Sequence, residues 1–371
     1  MARTVVIEEY AKTRSKRVGT AKRYAVLALF LVPFLAAFIV FFIVPLIYGI
    51  HISLTNFVFS APGKEVANDF MWYKYLLFNE NALLADGFTK GQAGAILKIQ
   101  SAFWNSFTNS IVFSIIMVPI AVLLPLGLAI LVNTKPPGYK AFRSMIYLPS
   151  IVPLSAAGAI FTLLFADPNA NGLLSQWFGI DIKWFNDIWF DFALFGKTIE
   201  VPYAWVPIFF MCLWGGWGSN FLILSAGLQN IPANLFEAAS IDGCSTWRKI
   251  TNIIIPGIKP QLTLCLFTTI IGYLGLYGQN YVLSNGGPIN SASAGIPGGG
   301  KTSTVIYFIQ NIVAPGDGAS LRDKFYGLGA AASIIYAIIV GIISGIQMYC
   351  TRDVKTGTKI SEAYSKWQRI R

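Results

Sequence analysis

Residues 107 to 132 read FTNSIVFSIIMVPIAVLLPLGLAILV, a run without a single Asp, Glu, Lys or Arg. Crossing the hydrocarbon core takes about 20 predominantly apolar residues in a helix, and this run exceeds that length. A helix at the edge of a soluble domain shows one apolar stripe and a charged opposite face; here no charged face exists. Working outward, five more stretches qualify: Tyr24 to Ile50, Met145 to Ala166, Tyr203 to Leu228, Gln261 to Leu283 and Leu328 to Cys350. None of them carries a formal charge, and each such residue at a helix centre would cost about 2.5 to 3.5 kcal/mol on insertion. Pro33, Pro45, Pro119, Pro125, Pro153 and Pro207 fall inside or at the ends of these runs, where neighbouring helices can satisfy freed carbonyls. They are expected to mark kinks rather than ends.

The whole chain agrees with this reading. It has 371 residues, 55% hydrophobic and 12% charged, against about 25% charged in an ordinary soluble domain. The net charge of +11 does not point to nucleic acid, because the basic residues sit in tails and short loops rather than on one face of a folded domain. Cys212, Cys244, Cys265 and Cys350 have neither metal-ligand spacing nor a disulfide framework and read as free thiols. The basic segment Arg3 to Arg23 followed by an apolar run resembles a signal peptide, but the run is about twice the usual length and lacks a small-residue cleavage site. A retained first helix is expected.

Orientation follows from Lys and Arg in the connecting segments. Segments 1–23, 133–144, 229–260 and 351–371 together hold 19 basic and 6 acidic residues, whereas 51–106, 167–202 and 284–327 hold 9 basic and 11 acidic. The first set is expected on the cytoplasmic side. The sequence thus predicts an all-α integral membrane protein of about six transmembrane helices with both termini cytoplasmic. It divides into a basic tail (1–23), a first transmembrane helix (24–50), an external loop (51–106), a core of five transmembrane helices (107–350) and a second cytoplasmic tail (351–371). The external loops carry aromatics such as Trp184, Trp189 and Tyr203, which suit either a membrane-interface belt or contact with an external partner.

The third cytoplasmic segment, within 229–260, reads IPANLFEAASIDGCSTWRKITNIIIPGIKP from Ile231 to Pro260. Pro232 suits a first helical turn. Asn234 to Ser240 is a helix-forming run, and Gly243 supplies a helix-ending, left-handed position. A second helix from about Ser245 to Ile255 is expected to run until Pro256, whose ring and missing N–H force a break. Ala238 and Ala239 give a small-residue surface that another backbone can approach closely, and Glu237 adds a charge that can pair. Such a helix suits docking and suits capping the bundle equally well.

With Glu237-Ala238-Ala239, Gly243, Ile253 and Pro256 in register, this segment resembles the EAA signature of inner-membrane permease subunits of binding-protein-dependent ABC importers, within them the maltose-type sugar permeases. The one departure is Ile255 in place of a leucine. The resemblance extends through VPLIYGIHISLTNF after the first span, LGLAILVN (Leu126 to Asn133), FRSMIYLPSIVP (Phe142 to Pro153), YVLSNGGP (Tyr281 to Pro288) and GLGAAAS (Gly327 to Ser333). It implies a coupling helix that sits in a groove of a separate ATPase subunit, a role falling on Glu237, Ala238, Ala239, Gly243 and Pro256. It also implies a second permease subunit, two ATPase subunits that bind ATP and Mg, an extracytoplasmic solute-binding protein and a carbohydrate solute. This chain itself would bind no cofactor, and its place would be the cytoplasmic membrane of a bacterium or archaeon.

Gly295 to Thr302, GIPGGGKT, matches the phosphate-cradling pattern GxxxxGK[ST], which needs a strand before it and a helix after it. The preceding GGPINSASA is turn-rich, and charge counting places the loop outside. A flexible Gly/Ser-rich loop is the expectation, with no ATPase site on this chain.

A neutral polar solute crossing a charge-free bundle needs hydroxyls, amides and aromatic faces. The fourth span offers Gly216, Trp217, Ser219 and Asn220, with Cys212 and Trp214 nearby. The fifth offers Thr269, Gly272, Tyr273 and Tyr277. Small residues in these spans equally serve close helix packing. An ion-coupled secondary transporter is the main alternative, but such proteins place ionisable residues within the membrane and are often built from inverted repeats. A membrane-embedded enzyme has less support: the sole histidine, His51, lies just beyond the first span, and the sequence contains neither HExxH nor GxSxG.

Overall fold

The computed structural model describes residue 26 and residues 28–57, 67–78, 90–194, 197–289, 298–313 and 322–351. The two basic tails, apart from Thr351, and Gly295 to Pro297 of the GxxxxGK[ST] match lie outside the described residues. In chain order the elements are α1 (Ala28–Ser53), α2 (Met71–Leu77), α3 (Lys90–Asn133), α4 (Tyr139–Tyr147), α5 (Leu154–Leu164) and α6 (Leu173–Phe178). An antiparallel hairpin, β1 (Ile188–Leu194) and β2 (Lys197–Pro202), comes next. The chain closes with α7 (Trp205–Gln229), α8 (Ala233–Ile241), α9 (Thr246–Gly257), α10 (Lys259–Leu274), α11 (Gly278–Leu283), α12 (Val305–Val313) and α13 (Arg322–Thr351).

Among the described residues, four helices are long and apolar enough to cross a membrane: α1, the Lys98–Asn133 part of α3, α7 and the Tyr326–Tyr349 part of α13. Two bent pairs raise the number to six if each is one span. Pro119 and Pro125 sit inside the unbroken α3 and do not end it. Pro153 behaves differently. The predicted third span is cut at Val152 and Pro153 into Tyr139–Ile151 and α5, which meet at 95°. The residue before a proline is pushed out of the helical region, and Val152 is extended at φ −67°, ψ 127°. Here the expectation of a kink is replaced by an end.

The predicted fifth span is also interrupted. α10 stops at Leu274, and α11 starts after Gly275 to Tyr277. Further upstream, Pro256 does not end the preceding helix. A π turn over Ile250–Ile254 widens the backbone just before it. The extra residue in that turn relieves the clash that a proline ring makes with the turn before it. The break comes two residues later, at Ile258, where α9 and α10 meet at 75°.

Each interruption leaves backbone carbonyls without helical donors, and in an apolar bundle each must be matched. Tyr336 of α13 donates to Leu274 O at 2.5 Å, and Thr304 Oγ1 donates to Leu276 O at 2.6 Å. Asn109 of α3 donates through Nδ2 to both Lys301 O and Ser303 O at 2.9 Å, and Ser110 Oγ accepts from Val305 N–H. Thr302, Ser303 and Thr304 are fully buried, so the described end of the Gly/Ser-rich loop is a packed wedge and not a loose loop. Gly300 permits it, since a Cβ there would run into the Gly286 backbone. Lys301 forms an ion pair with Glu200 of β2. The hairpin rests on an aromatic cluster in which Trp184 is buried edge-on against Phe165, and Trp189 stacks on Tyr203 at 5.9 Å.

Asn280 ties this wedge down: its Nδ2 donates to Thr302 O at 2.5 Å, and its Oδ1 accepts from Ser284 Oγ at 2.8 Å. Replacing it by leucine takes that donor from Thr302 O in a fully buried place, while Ser284 Oγ keeps Thr302 Oγ1 and the backbone carbonyl of residue 280. Asn280→Leu is expected to destabilise the detergent-solubilised chain by about 2 kcal/mol, read as a lowered thermal unfolding midpoint against wild type.

Candidate functional site

Three elements with interrupted or glycine-bearing backbones converge around a cavity of about 490 Å³. α7 is the central wall. It is helical throughout because its glycines are flanked by apolar residues that bury it, among them Met211, Phe221 and Leu224. Gly216, Ser219 and Asn220 of α7 line the cavity, as do Thr269, Gly272 and Tyr273 of α10 and Tyr277 in the break before α11. Of the eight pathway residues expected from sequence, these seven come together. Trp217 does not line the cavity; its indole N–H is buried and finds no partner among the described residues.

The side chains inside are held by short contacts. The Tyr273 hydroxyl lies beside Gly216, 3.5 Å from where a Cβ would stand, an ordinary contact distance. The Tyr273 ring is fixed edge-on against Phe113 at 5.7 Å. Tyr277 stacks on Tyr281 at 5.5 Å, and Trp214 leans on Phe161 at 5.8 Å. Ser219 Oγ donates back to Gly216 O at 3.1 Å. Asn220 is only 5% exposed and donates to Ala121 O and Thr269 Oγ1. No side chain lining the cavity carries a formal charge. Aromatic faces with hydroxyls and amides suit a neutral polyhydroxylated molecule, since an isolated charge would be left there without a counter-charge.

One wall was missed from sequence. The bend that ends the third span brings Pro149, Ser150, Val152, Leu154 and Ala157 to the cavity. Gly218 admits it, because a Cβ at that position would clash with Ser150 and sit 3.2 Å from the Tyr147 backbone. Pro149 and Pro153, four residues apart, were the available signal; Pro153 read as a kink because the apolar run continues through it, and Pro149 was not singled out.

The segment carrying Glu237 lies at the far end of α7. α8 is a short helix with Pro232 as its N-cap, and Gly243 follows at φ +67°. The N–H of Gly243 reaches Ser240 O, and the N–H of Cys244 reaches Ala239 O, the pattern of a left-handed helix end. Ala239 is buried, and Ile231 and Phe236 pack on a core formed by Phe221, Leu224, Leu228 and Ile258. Glu237, Ala238 and Gly243 face outward. Pro256 stands apart from them, in the last turn of α9. Two residues that the sequence did not single out are also presented: Ile241 is 87% exposed and Trp247 72%.

The family profile described as "Binding-protein-dependent transport system inner membrane component" matches residues 93–356. The lactose transport system permease protein LacF of Rhizobium radiobacter is 27% identical over 325 residues, covering 82% of this chain and 96% of that protein. The arabinooligosaccharides transport system permease protein AraP of Halalkalibacterium halodurans is 27% identical over 267 residues, covering 70% and 74%. The fold is similar to that of a chain in the crystal structure of a bacterial ABC transporter involved in the import of the acidic polysaccharide alginate, with a TM-score of 0.59 at 16% identity over 90% of this chain and 97% of that one. Because the profile covers well over half its length, the chain belongs to the family of binding-protein-dependent transport system inner membrane components.

Proposed function

We propose that this chain is a permease subunit of an ATP-driven importer and that its solute is a neutral oligosaccharide. The carrying observation is the cavity: about 490 Å³, lined by Trp214, Tyr273, Tyr277 and several hydroxyls, without a charged side chain. Relatives named for lactose and arabinooligosaccharides support a sugar. A second permease subunit would complete the pathway, an extracytoplasmic binding protein would deliver the solute, and two ATPase subunits would bind ATP and Mg and hydrolyse it. In this reading the chain crosses the membrane six times, each bent pair counting as one span, and both termini are cytoplasmic. α8 is the coupling helix, offering Glu237, Ala238, Ile241 and Gly243 to an ATPase groove, with Pro256 shaping the helix behind it.

Orientation is checked by placing a single thiol at Ile241→Cys in an otherwise cysteine-free chain. A membrane-impermeant maleimide should label it in inside-out vesicles and not in intact cells; the reverse pattern refutes the topology. Charge reversal at Glu237→Lys should weaken co-purification of the ATPase subunits about tenfold or more, as changes at interfacial charges do, and undiminished co-purification counts against the coupling role. In proteoliposomes of the whole complex with its binding protein, ATP should drive uptake of at least one of arabinotriose, lactose and maltose, but not of a uronate trisaccharide. Gly216→Trp fills the cavity and should cut that uptake by about tenfold or more while the subunits still co-purify.

A further inference from the structure

Asn220 occupies a position that the transport reading alone does not explain. Pro125 has no N–H, so the carbonyl four residues earlier, Ala121 O, loses its donor within α3. The Asn220 side chain supplies that donor from α7, with Nδ2 at 2.8 Å from Ala121 O. The same Nδ2 lies 3.0 Å from Thr269 Oγ1 on α10. Cys265, one turn before Thr269, places its Sγ 3.9 Å from the Asn220 carbonyl. Ala121 is 1% exposed and Cys265 fully buried. One amide therefore joins three helices, and at its Ala121 end the contact is buried.

The location matters as much as the bonds. On one side of Asn220 is the cavity, which it lines together with Thr269. On the other side is the apolar core of Phe221, Leu224 and Ile258, on which Phe236 of α8 packs. α7 leads into α8, and α10 follows α9, so any displacement of α8 enters the bundle through these two helices. They transmit it to the cavity as one body only if they are fastened to each other and to α3.

We propose that Asn220 is a positioning residue that fastens α3, α7 and α10 into a single rigid wall, so that movement imposed at α8 reaches the cavity. The proposal rests on the importer reading. Its chemistry requires a donor amide: with leucine there, Ala121 O is unmatched in a buried place, the tie from α7 to Thr269 Oγ1 is lost, and α10 is free to slip on α7.

The test uses the complete complex in proteoliposomes and whichever of arabinotriose, lactose or maltose the wild type imports, at saturating concentration. Asn220→Leu should lower solute imported per ATP hydrolysed by about tenfold, within the usual range of coupling between sites. A second variant separates this from damage to folding. Pro125→Ala returns an N–H to α3 and gives Ala121 O its helical donor, so Asn220→Leu with Pro125→Ala should regain the thermal midpoint lost by Asn220→Leu. The proposal requires that the import ratio stay low in this double variant. Recovery of the ratio together with stability would overturn it, and so would an unchanged ratio in Asn220→Leu.

A readout without solute completes the test. Trapping the complex with ATP and vanadate should change deuterium exchange at residues 233–243 and 268–279 in wild type, but only at 233–243 in Asn220→Leu. Equal responses at both segments in the variant would sink the inference. If the wild type imports none of the three sugars, the proposed solute class fails while the exchange experiment still decides the role of Asn220.

Discussion

A backbone carbonyl that loses its helical donor inside an apolar bundle has to be met by a side chain, and the bundle is organised around places where this happens. Pro125 frees Ala121 O, and Asn220 meets it. The gap after Leu274 frees two carbonyls, and Tyr336 and Thr304 meet them. Buried without partners, such groups would cost several kcal/mol in a membrane. The pairs therefore dictate which helices lie together. α3 reaches α7 through one, α13 reaches α10 through another, and the 301–305 strand is threaded along α3 by Asn109 and Ser110.

The same interruptions make the cavity possible. An unbroken apolar helix presents only side-chain ends to its neighbours, whereas a helix that stops and turns exposes backbone and leaves space. The break at Val152 and the break at Gly275 to Tyr277 both border the cavity, alongside the continuous α7. Glycine at 218 lets Ser150 come close to α7 without widening the bundle. Stability and a polar-lined space are thus obtained from the same breaks in regular structure.

Much of this was legible in the residues. Runs free of charge located the spans because charge in lipid is costly whatever the fold, and Glu237 to Gly243 read as a helix with a left-handed end because few sequences other than alanine followed by glycine do that cheaply. The bend at Val152 was not legible, since hydropathy averaged over twenty residues cannot distinguish a straight span from two short helices at an angle; the break before the fifth span was legible but was placed two residues early, at Pro256 instead of Ile258. The π turn before Pro256 adds a residue without altering composition, so the proline seemed to be the end. Thr302 to Thr304 looked loose because Gly and Ser dominate the segment before them, while the partners that bury them, Asn109 and Asn280, lie far away in sequence. Asn220 was picked as a polar residue on a pathway; that its amide is committed to a carbonyl freed by Pro125 depends on a crossing of two helices that one-dimensional spacing does not encode.

α1 stands differently. Its large side chains from Leu29 to Phe42 are at least 40% exposed, its C-terminal half packs on α13, and it precedes residue 93, where the match to the family begins. Among the described residues α1 is fastened only near its C-terminal end, by α13 and by the hydrogen bond between Ser53 Oγ and the Tyr73 hydroxyl at 2.8 Å, so a change of length or sequence in its N-terminal half leaves the threading of the bundle behind it untouched.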